Sequence, residues 1–303
     1  MTDTLLTELA VDRTAVVGGA EPEPRTRLDR GRLLRFWLYR PGLVLSVAVV
    51  VLVVLAAFRP TLFTARDPLL GVPSEIFSPP SGQHWFGTDE LGRDLFARVV
   101  HGTALSLQAT VIAVAVAFVA GGALGLVAGF VGRWVDDVLM RIADVLLSIP
   151  ALFLSLALVT ALGYGTVKVA IAVGVAGVAG FARVMRAEVL RLRRAVFVEA
   201  AWSSGARWYT VLGRHVLPNS IGPVVVLAAL DLGTAVLAVS SLSFLGYGAV
   251  PPAPEWGTLI SSGRSYLANA WWISTLAGLM VAALVLATNR IARALDGEWA
   301  QQR

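Results

Sequence analysis

The chain has 303 residues, of which 56% are hydrophobic and only 15% are charged, against roughly a quarter in ordinary soluble domains. Its mean hydropathy of +0.73 and its long uncharged runs exclude a water-soluble enzyme and indicate an integral membrane protein. The lack of cysteine excludes disulfides and thiolate chemistry, and the net charge of +5 fits basic cytoplasmic loops better than a nucleic-acid partner.

Lysine usage indicates that this chain has no nucleotide site of its own. Only one of the 25 basic residues is a lysine. A P-loop needs a lysine between glycine and serine or threonine, whereas Lys168 lies between two valines. If ATP drives this protein, another chain must bind it. The three histidines lie far apart in loops, so neither a metal site nor an intramembrane nucleophile with its base is predicted.

Six membrane-spanning helices are predicted from the apolar runs, after a polar segment at residues 1–40 that is typical of a flexible tail. The predicted helices cover about Pro41–Phe58, Ala104–Gly132, Val138–Ala161, Val167–Met185, Asn219–Ser241 and Ala270–Asn289. They give an all-α membrane domain over residues 41–296, with long loops at 59–103 and 183–218 and a short tail at 297–303.

Two features predict how these helices pack. Gly121, Gly125 and Gly129 recur every four residues and would let another helix approach closely. Pro150 lies inside the third predicted helix, where its missing N–H predicts a kink.

The distribution of arginine predicts the orientation in the membrane. Residues 183–218 carry seven arginines and two glutamates, whereas residues 246–272 carry one of each. Because basic loops stay in the cytoplasm, the loop at 183–218 and both termini are predicted to be cytoplasmic. The loop at 59–103 is predicted to face outward.

One acidic residue, Asp231, lies near the middle of a predicted membrane helix. A central aspartate costs about 2.5–3.5 kcal/mol on an insertion scale, which the aliphatic residues of the same helix offset. Asp231 is therefore expected to avoid lipid. Either it lines a possible translocation pathway, or it makes a structural hydrogen bond to a neighbouring helix.

The loop at 183–218 contains a spaced pattern of residue types. The pattern consists of Glu199-Ala200-Ala201, then Gly205 after three residues, then His215-Val216-Leu217-Pro218 after nine more. Apolar spacing predicts a short helix on either side of Gly205, which can supply a tight turn, and Pro218 is predicted to end the second helix. A DNA-binding helix-turn-helix is disfavoured, because the unit is held between two membrane helices. An amphipathic segment lying on lipid is the structural alternative.

This pattern resembles the cytoplasmic signature of ABC-importer permease subunits, in the version common in dipeptide and oligopeptide permeases. The general signature has an aliphatic residue where this chain has His215. Residues 140–150, 242–246 and 251–257 also resemble segments of that subfamily. The resemblance covers about residues 32–296. The resemblance implies that this chain is the second of the two permease types that pair in such importers. It also implies the type I ABC importer fold, with six membrane helices and both termini in the cytoplasm.

The outer loop carries a further signature of the same subfamily, just before the second predicted helix. It contains Gly87, Thr88, Asp89, Leu91, Gly92, Arg93 and Asp94. Thr88 or Asp89 could cap a helix, and Leu91, Leu95 and Val99 would form its apolar face. This helix would lie at the outer gate or under a docked binding protein, or it would only anchor the next helix. The aromatic belt of the outer interface is predicted to contain Trp256, Trp271 and Trp272.

The resemblance implies that this chain binds no cofactor or metal and has no catalytic residue. ATP and Mg²⁺ would bind two partner ATPase subunits, and a second homologous permease and an extracytoplasmic substrate-binding protein would complete the complex in the lipid membrane, without nucleic acid. Residues 199–205 would dock in a groove of an ATPase, and closure of the ATPases would switch the pathway between inward and outward access. The cargo would be peptides, or the glutathione, nickel chelates or opine-like metallophores that relatives carry.

An ion-coupled secondary transporter is the alternative function. Such a carrier needs intramembrane ionisable groups and usually internal repeats. Asp231 supplies one such group, but the sequence shows no convincing repeat.

Overall fold

The structure, a computed structural model, describes the backbone of residues 41–301 and the side chains of residues 41–294. The predicted tail at residues 1–40 lies outside this range. Between residues 41 and 301 the secondary structure is helical, and extended backbone pairs only in two isolated bridges of the outer loop. The prediction of an all-α protein is confirmed.

The helices follow one another along the chain with two wide, π-helical turns between them. They are α1 (Pro41–Phe58), α2 (Leu95–Val116), α3 (Gly122–Val131), α4 (Arg133–Ser148), α5 (Ala151–Leu162), α6 (Thr166–Arg193), α7 (Val196–Ser203), α8 (Trp208–Thr210), α9 (Leu217–Phe244), α10 (Trp256–Gly263) and α11 (Trp272–Gln301). One π-helical turn, Ala117–Gly121, joins α2 to α3, and another, Val211–Val216, joins α8 to α9.

Five helical segments are long and apolar enough to cross a membrane, and the bent pair α4–α5 can form a sixth crossing. Two contacts support counting that pair. The start of α6 lies beside the loop after α9, where the Gly165 N–H donates to the Tyr247 carbonyl oxygen at 2.9 Å. The end of α3 lies beside the other end of α6, where Arg193 donates to the Gly129 carbonyl oxygen at 2.9 Å. The pair α4–α5 therefore joins opposite ends of the bundle, which gives the six crossings predicted.

The start of the second membrane helix differs from its predicted place. α2 begins at Leu95, whereas the charge-free run predicts Ala104. Arg98 lies inside the helix and is buried against the outer loop. Contact with the outer loop thus allows Arg98 to lie inside a helix, although its charge predicts a loop. The outer loop is therefore shorter than predicted and spans residues 59–94.

Two other helices are longer than predicted. α6 continues to Arg193, past the predicted end at Met185, because Val189 in its last turns is fully buried. α11 continues to Gln301, past the predicted end at Asn289 and into the predicted tail.

The third predicted helix is two helices that meet at a sharp elbow. The axes of α4 and α5 differ by 95°, so the kink predicted at Pro150 is present and divides the predicted helix in two. Ile149 has φ −94° and ψ 127°, the extended conformation that a residue before proline prefers. The helical hydrogen-bond pattern is broken there, so the chain changes direction between α4 and α5.

The glycine face packs closely, as predicted. Gly121, Gly125 and Gly129 line the contact of α3 and the preceding π-helical turn with α6. A Cβ atom on Gly125 would overlap the Ala182 carbonyl oxygen, and one on Gly129 would lie 2.8 Å from the Cβ of Val189. The absence of side chains lets the two backbones approach closely.

Candidate functional site

A compact helical segment joins the end of α6 to α9. It covers residues 196–216 and contains α7, α8 and the second π-helical turn; we call it the α7–α8 segment. It packs against Phe181 and Val189 of α6 and Val224 of α9 through three fully buried valines, Val198, Val211 and Val216. Because these anchors are buried in a shared cluster, the segment is held firmly to the two helices that flank it.

Gly205 forms the turn between α7 and α8, where the sequence predicts it. Its φ of +81° lies in the left-handed region that glycine adopts without steric cost. The Gly205 N–H donates to the Trp202 carbonyl oxygen at 3.0 Å, and the Ala206 N–H donates to that of Ala201 at 3.1 Å, which is the Schellman pattern of a helix end. No atom lies within 4 Å of where a Cβ would be. The backbone conformation, and not a lack of space, requires glycine here.

The accessible face of the α7–α8 segment is largely aromatic. Its exposed large apolar side chains are Val196, Phe197, Trp202, Trp208 and Tyr209. Glu199 and Ala200 are also exposed, and Ala201 is partly covered. Glu199 lies in the first turn of α7, where the helix dipole favours a carboxylate.

The second half of the signature lies at the start of α9. His215 belongs to the π-helical turn, and its ring centroid lies 6.4 Å from that of Phe197, so the fold brings the two halves together. Leu217 and Pro218 are the first two residues of α9. The prediction that Pro218 ends the second short helix is wrong, because proline is tolerated in the first turn of a helix and the helical path continues from α8 into α9.

The outer loop, residues 59–94, is built around buried charges. Asp89 Oδ2 accepts a hydrogen bond from Arg93 Nε at 2.7 Å and lies 3.4 Å from Arg98 Nε. Asp89 Oδ1 accepts from the backbone N–H groups of Leu91 and Arg93, at 2.9 Å and 3.0 Å. Asp89, Arg93 and Arg98 are all buried. Since buried charges need partners, this triad fixes the outer loop to the start of α2.

Asp94 caps α2, so the prediction of Thr88 or Asp89 as the cap is wrong. Asp94 Oδ1 accepts from the backbone N–H at the third position of α2 at 2.8 Å. Its other oxygen accepts from Arg66 at 3.1 Å and lies 2.8 Å from Nδ1 of His84. Asp94 therefore joins the helix start to two distant points of the outer loop.

The predicted apolar face on this helix is only partly present. Leu95 and Val99 of α2 are buried, whereas Leu91 lies before the helix and is exposed. Leu91 sits in the turn whose backbone N–H groups bind Asp89, and this turn is too tight to be helical.

Gly87 and Gly92 occupy backbone positions that other residues disfavour. Their φ angles are +74° and +71°. A Cβ on Gly92 would overlap the backbone of Val72, and one on Gly87 would lie 2.7 Å from Nε1 of Trp272. That indole N–H donates to the Thr88 carbonyl oxygen at 3.1 Å. The outer-loop signature thus places residues 87–94 in one tightly packed unit against the start of α11.

Two of the three tryptophans predicted for the aromatic belt are core residues. Trp256 is fully buried, and its Nε1 donates to the Val99 carbonyl oxygen at 3.0 Å. Trp272 is buried under the outer loop, and only Trp271 is exposed. The belt prediction is wrong for Trp256 and Trp272, because each indole N–H finds a backbone acceptor inside the protein.

A buried carboxylate was not predicted from the sequence. Glu255 is fully buried between α9 and α10; its Oε1 accepts from the Ser243 hydroxyl at 2.7 Å, and its Oε2 accepts from the Ala249 N–H at 2.6 Å. Local sequence gives little sign of this role, because Glu255 stands in a proline-rich loop. Its place directly before Trp256 was the available signal.

Asp231 is half-buried in the middle of α9. Its Oδ1 accepts a hydrogen bond from the Thr234 hydroxyl of the same helix at 2.6 Å. Among the side chains described between residues 41 and 294, none from another helix is bound to it, so the alternative of an interhelical hydrogen bond is not seen. Thr234 is exposed, and the two polar groups face the surface of the chain one turn apart.

The residues described offer no arrangement of three histidine, aspartate or glutamate side chains that could hold a metal. His84 is bound by Asp94 and Glu75 of the outer loop, and His215 packs near Phe197.

Comparison with known proteins gives consistent matches. Residues 121–300 match the family described as binding-protein-dependent transport system inner membrane component. The chain is 40% identical over 239 residues to the dipeptide transport system permease protein DppC of Alkalihalophilus pseudofirmus, covering 79% of this chain and 78% of that one. It is 36% identical over 261 residues to the probable D,D-dipeptide transport system permease protein DdpC of Escherichia coli, covering 86% and 87%. The glutathione transport system permease protein GsiD of Pectobacterium atrosepticum is 40% identical over 210 residues, covering 69% and 70%.

These matches show the fold and the class of activity of this chain. The fold is that of type I ABC permeases, and the chain is a multi-pass protein of the inner membrane. The relatives are transport permeases and not enzymes, and importers of this family work with ATPase and substrate-binding partners. The chain therefore belongs to the family of binding-protein-dependent transport system inner membrane components, as a permease subunit of an ABC importer.

Proposed function

We propose that this chain is one of two homologous permeases in an importer of short peptides or related solutes, with two ATPase subunits and one extracytoplasmic substrate-binding protein. The relatives support this cargo, since their names specify dipeptides, D,D-dipeptides and glutathione. ATP and Mg²⁺ bind the ATPases, and this chain moves in response.

The α7–α8 segment is the observation that carries the proposal. Its valine anchors are buried, yet it presents five large apolar side chains to its surroundings. Exposed apolar patches rimmed by polar residues mark protein-binding surfaces, and the exposed Glu199 and Arg207 flank these aromatic residues. Glu199 lies three residues from both Val196 and Trp202 and so on the same face of α7, whereas a helix that lies on lipid keeps its charges on the opposite face. The segment therefore docks on an ATPase through residues 196–209.

The orientation follows from this docking. The ATPases act in the cytoplasm, so the α7–α8 segment lies on the cytoplasmic side, together with both termini and the tails at 1–40 and 297–303. The outer loop then faces outward, over the membrane domain of residues 41–296. There it meets the binding protein, for which its exposed Trp85 and Leu91 and the rigid unit at residues 87–94 are suited.

The experiment that tests this composition is purification of the chain from its native membrane in mild detergent, followed by mass spectrometry. The expected result is recovery of a second homologous permease and of P-loop ATPases in near-equal amounts. Recovery of this chain alone, even after chemical cross-linking, would contradict the proposal.

The translocation pathway passes Asp231. A charged group inside a membrane helix avoids lipid and faces a pathway or a partner, and Asp231 with Thr234 forms a polar patch on a face of α9 that the rest of the chain does not cover completely. This face meets the second permease along the route of the peptide. An ion-coupled carrier working through Asp231 has no support from the relatives.

Replacing Asp231 with asparagine tests this assignment. Hydrogen bonds to charged groups contribute about 1.5–3 kcal/mol, so we expect Asp231→Asn to lower peptide uptake about tenfold with normal recovery of the complex. Asp231→Glu, which keeps the charge, should restore most of the uptake. Uptake that is unchanged in Asp231→Asn would remove this residue from the pathway.

A further inference from the structure

The end of α6 that leads into the α7–α8 segment is tied to α3 and α4 by arginines. Three of its side chains reach residues on those helices, and the contacts are Arg183 with Asp144 at 2.6 Å, Arg186 with Asp136 at 2.7 Å, and Arg193 with the Gly129 carbonyl oxygen at 2.9 Å. The partners lie between 39 and 64 residues away in the sequence. These bonds therefore join separate helices and do not serve α6 alone.

The pair between Arg186 and Asp136 is the best defined of the three. Arg186 donates to both carboxylate oxygens of Asp136, and a two-pronged bond of this kind fixes orientation as well as distance. The Asp136 side chain is only 13% exposed. By contrast, Arg183 and Asp144 are both about half exposed, where ion pairs contribute little.

The Arg186 side of this pair is closely connected to the docking surface. Only Arg194 and Ala195 separate the end of α6 from α7. Val189, one turn beyond Arg186, is buried in the same cluster as Val198 of α7. A displacement of α7 by an ATPase must therefore move this end of α6.

The Asp136 side is connected to a helix with few buried side chains. Asp136 lies in the first turn of α4 and is one of only two buried residues of that helix, the other being Ala143. At its far end, α4 meets α5 at the 95° elbow around Ile149 and Pro150, where no helical hydrogen-bond pattern continues. α4 is therefore held to α6 most firmly near its start, where Arg186 binds it, and no helical hydrogen bond fixes its angle to α5 at the elbow.

We propose that Arg186 is a positioning residue that transmits movement of the α7–α8 segment, through Asp136, into the bent pair α4–α5. The pair links α6, with its docking segment, to α4, with its elbow. When the ATPases close, α6 moves and Arg186 draws the start of α4 with it. This inference rests on the proposed function, because the movement originates in an ATPase docked on the α7–α8 segment.

The test measures peptide taken up per ATP hydrolysed by the complete complex in proteoliposomes with its binding protein. Arg186→Lys keeps the positive charge but loses the two-pronged geometry, and Arg186→Met removes both. We expect this ratio to fall about tenfold in Arg186→Met, a change typical of coupling between sites, and by a smaller factor in Arg186→Lys. The exchange Arg186→Asp with Asp136→Arg restores the pair in reverse and should recover most of the ratio.

The matched control is Glu188→Gln on the same helix. Among the side chains of residues 41–294, Glu188 binds only Arg191 of α6 itself, at 2.6 Å, so the ratio should not change. A normal ratio in both Arg186 variants overturns the inference, and so does an equal fall in Glu188→Gln. If every Arg186 variant, including the exchange, fails to assemble, the pair serves folding alone and the inference is also overturned. Failure of the proposed function is distinguishable, because the unaltered complex would then show no ATP-driven uptake.

Discussion

Replacing Gly205 with aspartate is expected to stop ATP-driven uptake while the chain still inserts into the membrane. A residue with a Cβ in the left-handed conformation costs about 1–2 kcal/mol, and aspartate lies at the lower end of this range. The strain falls on the turn that holds α7 against α8, and the new carboxylate adds a charge beside the aromatic face. The turn then relaxes, and the aromatic face no longer fits the ATPase. A penalty of this size changes an equilibrium by a factor of about 5–30, so uptake should fall by at least that factor while basal ATP hydrolysis continues.

Two control variants separate the turn from the charge. Gly205→Asn has the same shape as Gly205→Asp and a similar tolerance of the left-handed conformation, so it should be milder only by the effect of the charge that it lacks. Gly213→Asp adds the same charge at an exposed glycine of the same segment that has open space around it and no positive φ, and this variant should transport well.

Glu199→Lys should also uncouple uptake from hydrolysis, because it places a positive charge at the start of α7, where the helix dipole is unfavourable. Normal uptake in both Gly205→Asp and Glu199→Lys would contradict docking through this segment.

Replacing Asp89 with alanine is expected to unfold the outer loop. Asp89 neutralises Arg93 and Arg98 and binds two backbone N–H groups. Removing one partner of a buried ion pair destabilises a protein by about 3–5 kcal/mol, since the remaining charges stay buried without compensation. The melting temperature of the complex should fall, and limited proteolysis should cut between residues 59 and 94.

The control for Asp89 is its neighbour Glu90. Glu90 accepts from Arg93 at 3.1 Å through one oxygen, and its other oxygen has no hydrogen-bond partner in the loop as described. Glu90→Gln keeps the shape and can still accept from Arg93 through its amide oxygen, so only the charge of a partly exposed ion pair is lost. Stability should fall by no more than about 1 kcal/mol, well below the effect of Asp89→Ala. Equal stability of Asp89→Ala and the unaltered protein would show that the triad does not hold the loop.

The sequence predicts the membrane helices best where hydropathy alone decides them. The run from Pro41 to Phe58 is uninterrupted, and α1 occupies the same range. The start of α2 could not be predicted in this way, because Arg98 is compensated by Asp89 from outside the helix. The elbow at Pro150 was foreseen as a bend, but its angle depends on how α4 and α5 pack, which no local pattern specifies.

The functional residues also divide into those that local sequence predicts and those that only the fold brings together. Gly205 was predicted because a tight turn between two short helices demands a flexible backbone, and its φ is positive. Arg186 and Asp136 lie 50 residues apart, so only the fold shows that they meet. The burial of Glu255 could not be derived from local sequence, because it depends on how the loop folds back on itself and onto α9, where Ala249 and Ser243 bind the carboxylate.

The central claim is that an ATPase drives this chain through the α7–α8 segment, and site-specific photo-cross-linking tests it most directly. A photoreactive benzoylphenylalanine is placed at Phe197 in the native membrane, with Trp85, which is exposed on the outer loop, as the control position. Position 197 is expected to capture a P-loop ATPase, identified by mass spectrometry, and position 85 is not. Capture of no ATPase at position 197, in a complex that still imports peptide, would contradict the central claim.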